Sequence, residues 1–177
     1  MSDLQQVVES ALSRLVGQPL TGAARAVDML TLQLGTLGQR RTPLGRLVEA
    51  GQWALHVQCA WRVSTAAGFY VGREDYWHPA GASASNRSPG DWTPDLGNRW
   101  DERMSAWIDA RSACAASIAS VGSDSCGGLR LRFDDGYVLE VFPGGGEGEQ
   151  WRLITWGSGD GQGQDEYFVI AGGRVET

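Results

Sequence analysis

The sequence predicts one α+β domain over residues 1–177, a mainly antiparallel sheet with an N-terminal helix and one central helix. Three observations predict it. Apolar residues recur at helical spacing near the N-terminus and again beyond residue 98. Apolar and polar residues alternate along several other segments, and an acidic Gly turn joins two of these as a hairpin. The 177 residues make one ordinary domain, able to bury roughly 70% of the surface its unfolded form exposes and so to hold a core without staples. A composition of 42% hydrophobic and 20% charged residues, with eight Trp, excludes a disordered chain.

The first helix starts at Ser2, which with Gln5 three residues on resembles a capping box. Leu4, Val7, Val8, Ala11, Leu12 and Leu15 then form one apolar stripe, and Gly17 and Pro19 stop the helix. Met29 to Leu34 reads as a strand with Leu30, Leu32 and Leu34 on one face. Gly35 to Pro43 reads as a turn-rich loop containing Arg. Trp53 to Ser64 reads as one long strand. Its odd positions, Leu55, Val57, Cys59, Trp61 and Val63, are apolar, while His56, Gln58 and Arg62 lie among the even ones. Side chains alternate across a strand, so the first set faces a core and the second faces water or a site. Phe69 to Val71 pairs back through Gly68.

From about residue 73 to residue 98 the periodicity disappears into a stretch rich in Gly, Ser, Pro, Asp and Trp, read as an irregular loop. Loops of that length in compact domains are usually functional or disordered. A helix follows, capped by Asp95 or Asn98, with Asp101 and Glu102 where the macrodipole favours negative charge. Trp100, Met104, Trp107, Ile108 and Ala115 form its buried stripe. The remainder reads as a β-meander over Leu129–Phe133, Tyr137–Phe142, Trp151–Trp156 and Tyr167–Ile170. A two-residue turn at Asp135-Gly136 would set Leu131 opposite Glu140 and put a carboxylate on the apolar face. A three-residue loop, Asp134-Asp135-Gly136 with Gly136 left-handed, sets Leu131 opposite Leu139, Leu129 opposite Val141 and Arg130 opposite Glu140. The second register satisfies both faces. Two Gly-rich loops, Gly144 to Gly148 and Gly157 to Gly163, lack the Lys-Ser/Thr ending of a phosphate loop.

All fifteen basic residues are Arg, which is the mark of a GC-rich genome before it is that of an Arg-specific function. The net charge of -6 argues against nucleic acid as a partner and favours a basic one, a toxin or effector among them, although it leaves room for a local basic patch. The first residues have no basic region followed by an apolar run, and no stretch approaches a membrane span. Cys59, Cys114 and Cys126 are odd in number and without a CxxC, so reduced thiols in a cytoplasmic protein are expected.

With only two histidines, any nucleophile–base system must use His56 or His78. His56 and Cys59 fall on opposite faces of a regular strand, and Cys59 reads as a small buried hydrophobe. Three Cys and two His spread over residues 56–126 do not make a zinc site, and the Asp160–Glu166 loop lacks calcium-loop spacing. No cofactor or metal is expected. The residues that remain form a polar recognition surface: His56, Gln58 and Arg62 on the strand, with Arg73, Asp75, Trp77 and His78 where the next strand ends. Arg, Trp and Tyr anchor interfaces, although an Arg62–Asp75 ion pair on a solvated face accounts for the same residues. Trp61, Trp100, Trp107 and Trp151 are core, and Trp77 and Trp92 are the interface candidates.

The segments Leu55–Arg62, Val71-Gly72 with Asp75, Gly128–Phe133 and Leu139–Pro143 resemble a bacterial family of unknown function found in actinobacteria and other GC-rich organisms. The hairpin that ends in Glu140-Val141-Phe142-Pro143 is similar to that of small cytosolic immunity proteins of bacterial toxin systems. Neither resemblance implies catalytic residues. The expectation is therefore a non-enzymatic cytosolic binding protein, immunity-like in character, whose partner is a protein and neither nucleic acid nor membrane, with a homodimer left open. The alternative is a small hydrolase or transferase using His78 with a nearby carboxylate.

Overall fold

The computed structural model describes residues 2–41, 45–81, 92–110, 116–157 and 164–176, Arg41 by its backbone only. It is an α+β fold, mostly antiparallel sheet, with an N-terminal and a central helix. Helix α1 runs Asp3–Ser13, and the Ser2 hydroxyl accepts from the Gln5 amide at 3.2 Å, as a cap should. Val8, Ala11, Leu12 and Leu15 are buried against the core, whereas Val7, placed in the same stripe by periodicity, stands 47% exposed. The apolar arc is narrower than the run of apolar residues suggests.

The strands are β1 (Leu20–Ala26), β2 (Met29–Leu34), β3 (Gly38–Arg41), β4 (Leu47–Ala50), β5 (Trp53–Val57), β6 (Ala60–Thr65) and β7 (Gly68–Gly72), followed by 3-10 turns at Arg73–Trp77 and Pro94–Leu96. Helix α2 (Arg99–Asp109) leads to β8 (Ile118–Ser123), β9 (Leu129–Phe133), β10 (Val138–Phe142), β11 (Glu149–Thr155), β12 (Glu166–Ala171) and β13 (Arg174–Glu176). Six strands form one sheet in the order β1-β2-β5-β11-β12-β13, five form another in the order β7-β6-β10-β9-β8, and β3 and β4 make a separate ribbon. The two large sheets contribute to one apolar cluster, with Leu32, Leu55, Trp151 and Leu153 from the first and Trp61, Leu131, Leu139 and Val141 from the second.

The strand layout departs from the alternation pattern in several places. Trp53 to Ser64 is not one strand. It breaks at Gln58-Cys59, where both amides bond the Gln150 carbonyl at 2.9 and 3.1 Å, and the chain passes from the six-stranded sheet to the five-stranded one. The odd–even pattern survives the break because both sheets face the same core and the step is two residues long. The meander is also divided: β9 and β10 lie in the five-stranded sheet, β11 and β12 in the other, and the Gly144–Gly148 loop is the crossover between them. The expected loop from Gly35 contains β3, and β1 and β8 pair as strands although their sequences show little alternation. Ala115 of the helix stripe, Cys114, residues 82–91 of the long loop and residues 158–163 of the last Gly-rich loop lie outside the described residues.

The hairpin register is as expected, with Leu131 opposite Leu139, Leu129 opposite Val141 and Arg130 opposite Glu140. Gly136 takes φ 88°, which only glycine adopts without strain, and its amide donates to the Phe133 carbonyl at 3.1 Å. Helix α2 is capped by Asn98, fully buried, whose Oδ1 accepts from the Asp101 amide at 2.8 Å and whose Nδ2 donates to the Pro94 carbonyl at 3.1 Å. Trp107 of α2 stacks on Tyr137 and meets the edge of Phe133, and Trp100 meets Trp61 edge-on at 5.0 Å. Trp61, Trp100, Trp107 and Trp151 are thus core, as expected.

Candidate functional site

The seven expected site residues fall into three places. His56 and Gln58 lie on or beside β5 of the six-stranded sheet, where Arg152 and Glu149 of β11 tie them together. The Arg152 Nε donates to His56 Nδ1 at 3.2 Å, and Gln58 Nε2 donates to Glu149 Oε1 at 2.8 Å. Burial, and then the Arg152 charge, lower the His56 pKa, so the ring is held neutral and accepting. Arg62, on β6, belongs to the other sheet. It shares no strand face with His56 and Gln58, because the break at Gln58-Cys59 separates them.

Arg73, Asp75, Trp77 and His78 stand together on the 3-10 turn that follows β7. Asp75 is 5% exposed and closes the turn by accepting from the Gly72 amide at 3.0 Å. Its carboxylate faces Arg99 and Arg103 at 3.5 and 3.6 Å, not Arg62, so the expected Arg62–Asp75 pair does not form. Arg73 pairs with Asp28. Trp77 is 54% exposed, and His78 is an exposed cap residue at the end of the turn. Trp92 is half-buried and donates from Nε1 to the Gly97 carbonyl at 3.1 Å, so it folds back on its own loop. A cleft of about 220 Å³ opens beside the turn, lined by Trp61 and Phe69 together with Arg73, Asp75, His78 and Arg99.

The pair that Arg62 does make defines a larger feature. In register across the five-stranded sheet lie Gly122 of β8, Arg130 of β9, Glu140 of β10, Arg62 of β6 and Gly72 of β7. The row is on the outer face, since the intervening residues Leu129, Leu131, Leu139, Val141, Trp61 and Val63 point to the core. Glu140 is clamped from both sides. Arg62 Nε donates to Oε2 at 2.7 Å, and Arg130 Nε donates to Oε1 at 3.0 Å with a second bond from the same guanidinium. Burial by itself would raise the Glu140 pKa. The hydrogen bonds and charges of Arg62 and Arg130 outweigh it and hold the carboxyl below its ordinary value.

Glu140 keeps 10% of its side chain exposed, while Arg62 and Arg130 keep 51% and 50%. The anion is sunk and the two cations stand proud of it. Arg132, two residues along β9 and on the same face, is exposed and makes no ion pair among the described residues. Two aromatic rings flank the row. Phe142 is 40% exposed with the Arg62 guanidinium 5.1 Å from its centroid. Phe69 is 62% exposed, and its ring lies where a side chain on Gly72 would go, with a Cβ there only 3.2 Å away.

Comparison with protein-family models, with curated proteins and with solved structures gives no match for this chain. Among the described residues no group of three or more His, Cys, Asp or Glu is placed to hold a metal ion, and no helix is long and apolar enough to cross a membrane. Burial pushes the Cys59 thiol up to about 11, far from a reactive thiolate at neutral pH.

Glu140, Arg130, Arg132, Phe69 and Phe142 were not among the residues expected to form a site. The signal was present, since the hairpin register already set Arg130 against Glu140 on the outer face. What was missing was the pairing of β6 with β10, which brings Arg62 to the other side of the same carboxylate.

Proposed function

We propose that this protein is a non-enzymatic binding protein whose recognition surface is the outer face of the five-stranded sheet and the adjoining cleft at the Arg73–Trp77 turn. The observation that carries the reading is the Arg62–Glu140–Arg130 row, with exposed Phe142 and Phe69 at its sides. A sheet face with paired arginines and exposed rings has the composition that anchors protein interfaces. Large apolar side chains left in water on a monomer mark contact sites when they cluster with such groups. The cleft continues the surface because Phe69 lines it and covers Gly72, the last member of the row.

The internal pairing of the other polar cluster supports the same choice. His56 and Gln58 spend their hydrogen bonds on Arg152 and Glu149 within the sheet. They read best as structural.

A photocrosslinking amino acid placed at Phe69 or Phe142 tests the reading in the cells that express the gene. It should trap one discrete partner, identified by mass spectrometry. The same group at Tyr167, half exposed on the six-stranded sheet, should trap none. Equal trapping at the two sheets, or none at Phe69 and Phe142, would show that this face is not the contact surface.

A further inference from the structure

The outer face of the five-stranded sheet differs in charge from the molecule that carries it. Arg62, Arg130 and Arg132 stand with two carboxylates, Glu140 and Asp124, the latter lining the same hollow as Arg130 and Glu140, and so leave the face with one net positive charge. The whole chain is -6, so everything outside the face is more acidic than the total by that one charge. The ladder partners of Arg132 are Val138 and Ser120, so no carboxylate stands directly opposite it. At the β8 edge the row ends in Gly122, which brings no side chain, and Asp124 beyond it spends Oδ1 on the Cys126 and Gly128 amides.

Resting on the binding reading above, we propose that the occupant of this face is a short, extended, acidic segment of another protein, with carboxylates on alternate residues and an apolar side chain between them. Spacing is the first support. Residues i and i+2 of a strand lie about 7 Å apart, so Arg130 and Arg132 leave the backbone at the interval at which an extended chain presents alternate side chains. Arg62 and Arg130 hold Glu140 through Nε and Nη2, which leaves Nη1 of each to another acceptor, and a guanidinium takes a carboxylate in a two-pronged bond.

The second support is the pairing of charge with exposed rings. Phe142 and Phe69 flank the arginines and stay partly exposed, Phe142 beside the Arg62 guanidinium, giving an apolar side chain of the segment somewhere to lie. The third is length. Beyond the face the protein is strongly acidic, and charges farther apart than about 8 Å are screened at physiological salt, so a segment of a few residues feels the arginines while a long polyanion also meets the acidic remainder. A strand of nucleic acid is disfavoured on that ground. So is a basic partner at this face, since it would meet like charge.

The experiment uses the full chain labelled with ¹⁵N and titrated with a short peptide alternating Glu and Phe, its counterpart with Gln for Glu, and a short oligodeoxythymidylate. The Glu peptide should shift amides of β6, β9 and β10, and its affinity should fall as salt is raised. Arg132→Gln, which breaks no ion pair and so leaves the fold intact, should weaken it about two- to fivefold, the effect of one exposed charge pair. The Gln peptide should bind several times more weakly.

Equal binding of the Glu and Gln peptides would overturn the inference in favour of a purely apolar contact. Tighter binding of the oligodeoxythymidylate would overturn it in favour of single-stranded nucleic acid. A mass by light scattering that rises with concentration, and falls back in Arg132→Gln, would instead make the occupant a second copy of this chain. Shifts confined to other strands, or no binding of the Glu peptide, would also remove it. If the peptides fail while crosslinking at Phe69 still traps a discrete partner, the acidic segment is wrong and the binding surface stands. If both fail, the surface itself is wrong.

Discussion

Replacing Glu140 by Gln removes one charge and little volume, and its effect follows from the geometry of the clamp. Glu140 is 7% exposed and accepts from Arg62 on one oxygen and from Arg130 on the other. A Gln side chain keeps one acceptor and turns an NH₂ group toward the second guanidinium, so one bond is lost and donors face donors. Hydrogen bonds to charged groups contribute about 1.5–3 kcal/mol, and because water can replace part of the contact at two half-exposed arginines the lower part of that range applies, about 2 kcal/mol. For a chain of this size that lowers Tm by about 4–8 °C at pH 7.

The pH dependence separates the clamp from other causes. The folded Glu140 pKa lies below its unfolded value, which is about 4.3. Its stabilisation is therefore complete above the unfolded pKa and is lost as pH falls through the folded one. The gap between the native protein and Glu140→Gln should be full at neutral pH and close at acid pH, where the native carboxyl is itself neutral. Urea unfolding followed by circular dichroism across that range measures it. A gap at pH 7 below about 0.5 kcal/mol, the range of an ordinary surface change, or one that stays constant into acid, would refute the argument that the two arginines hold an ionised carboxylate.

Three further outcomes follow from the packing. Gly51→Ala places a Cβ 2.5 Å from the Leu34 carbonyl oxygen and 2.8 Å from its nitrogen, backbone atoms of a central strand pair that cannot step aside, so denaturant unfolding should show a loss of about 1–3 kcal/mol. Asn98→Ala removes the α2 cap and leaves the Asp101 amide without its Oδ1 acceptor, a loss of about 1–2 kcal/mol; a change within error would mean that Asp95 or water takes over the cap. Iodoacetamide at pH 8 should alkylate the exposed Cys126 and leave Cys59, with its pKa near 11, unlabelled in a peptide map. Equal labelling would show that Cys59 is not buried as described.

How much of this was legible beforehand depends on the range over which each feature is decided. The cap at Ser2, the stripe of α2 and the Leu131:Leu139 register are settled within about ten residues of chain, and the sequence alone determined them through helical period, alternation and turn chemistry, while it left the α2 cap open between Asp95 and Asn98. Alternation says which side of a strand a residue faces, but not which strand lies beside it. For that reason β5 and β6 read as one strand across the Gln58-Cys59 break, and β9 to β12 read as one meander.

Strands β1, β3 and β8 carry few large alternating side chains, and their extended backbone is held by the partners they pair with, β2, β4 and β9. The candidate surface is of the same kind. Arg62 and Glu140 are 78 residues apart, and only the pairing of β6 with β10 brings the guanidinium to the carboxylate while Asp75 turns to Arg99 and Arg103. Local sequence thus determined which side chains face outward. The tertiary structure decided which outward charges meet, because pairing is set by how the whole core packs and not by any one segment.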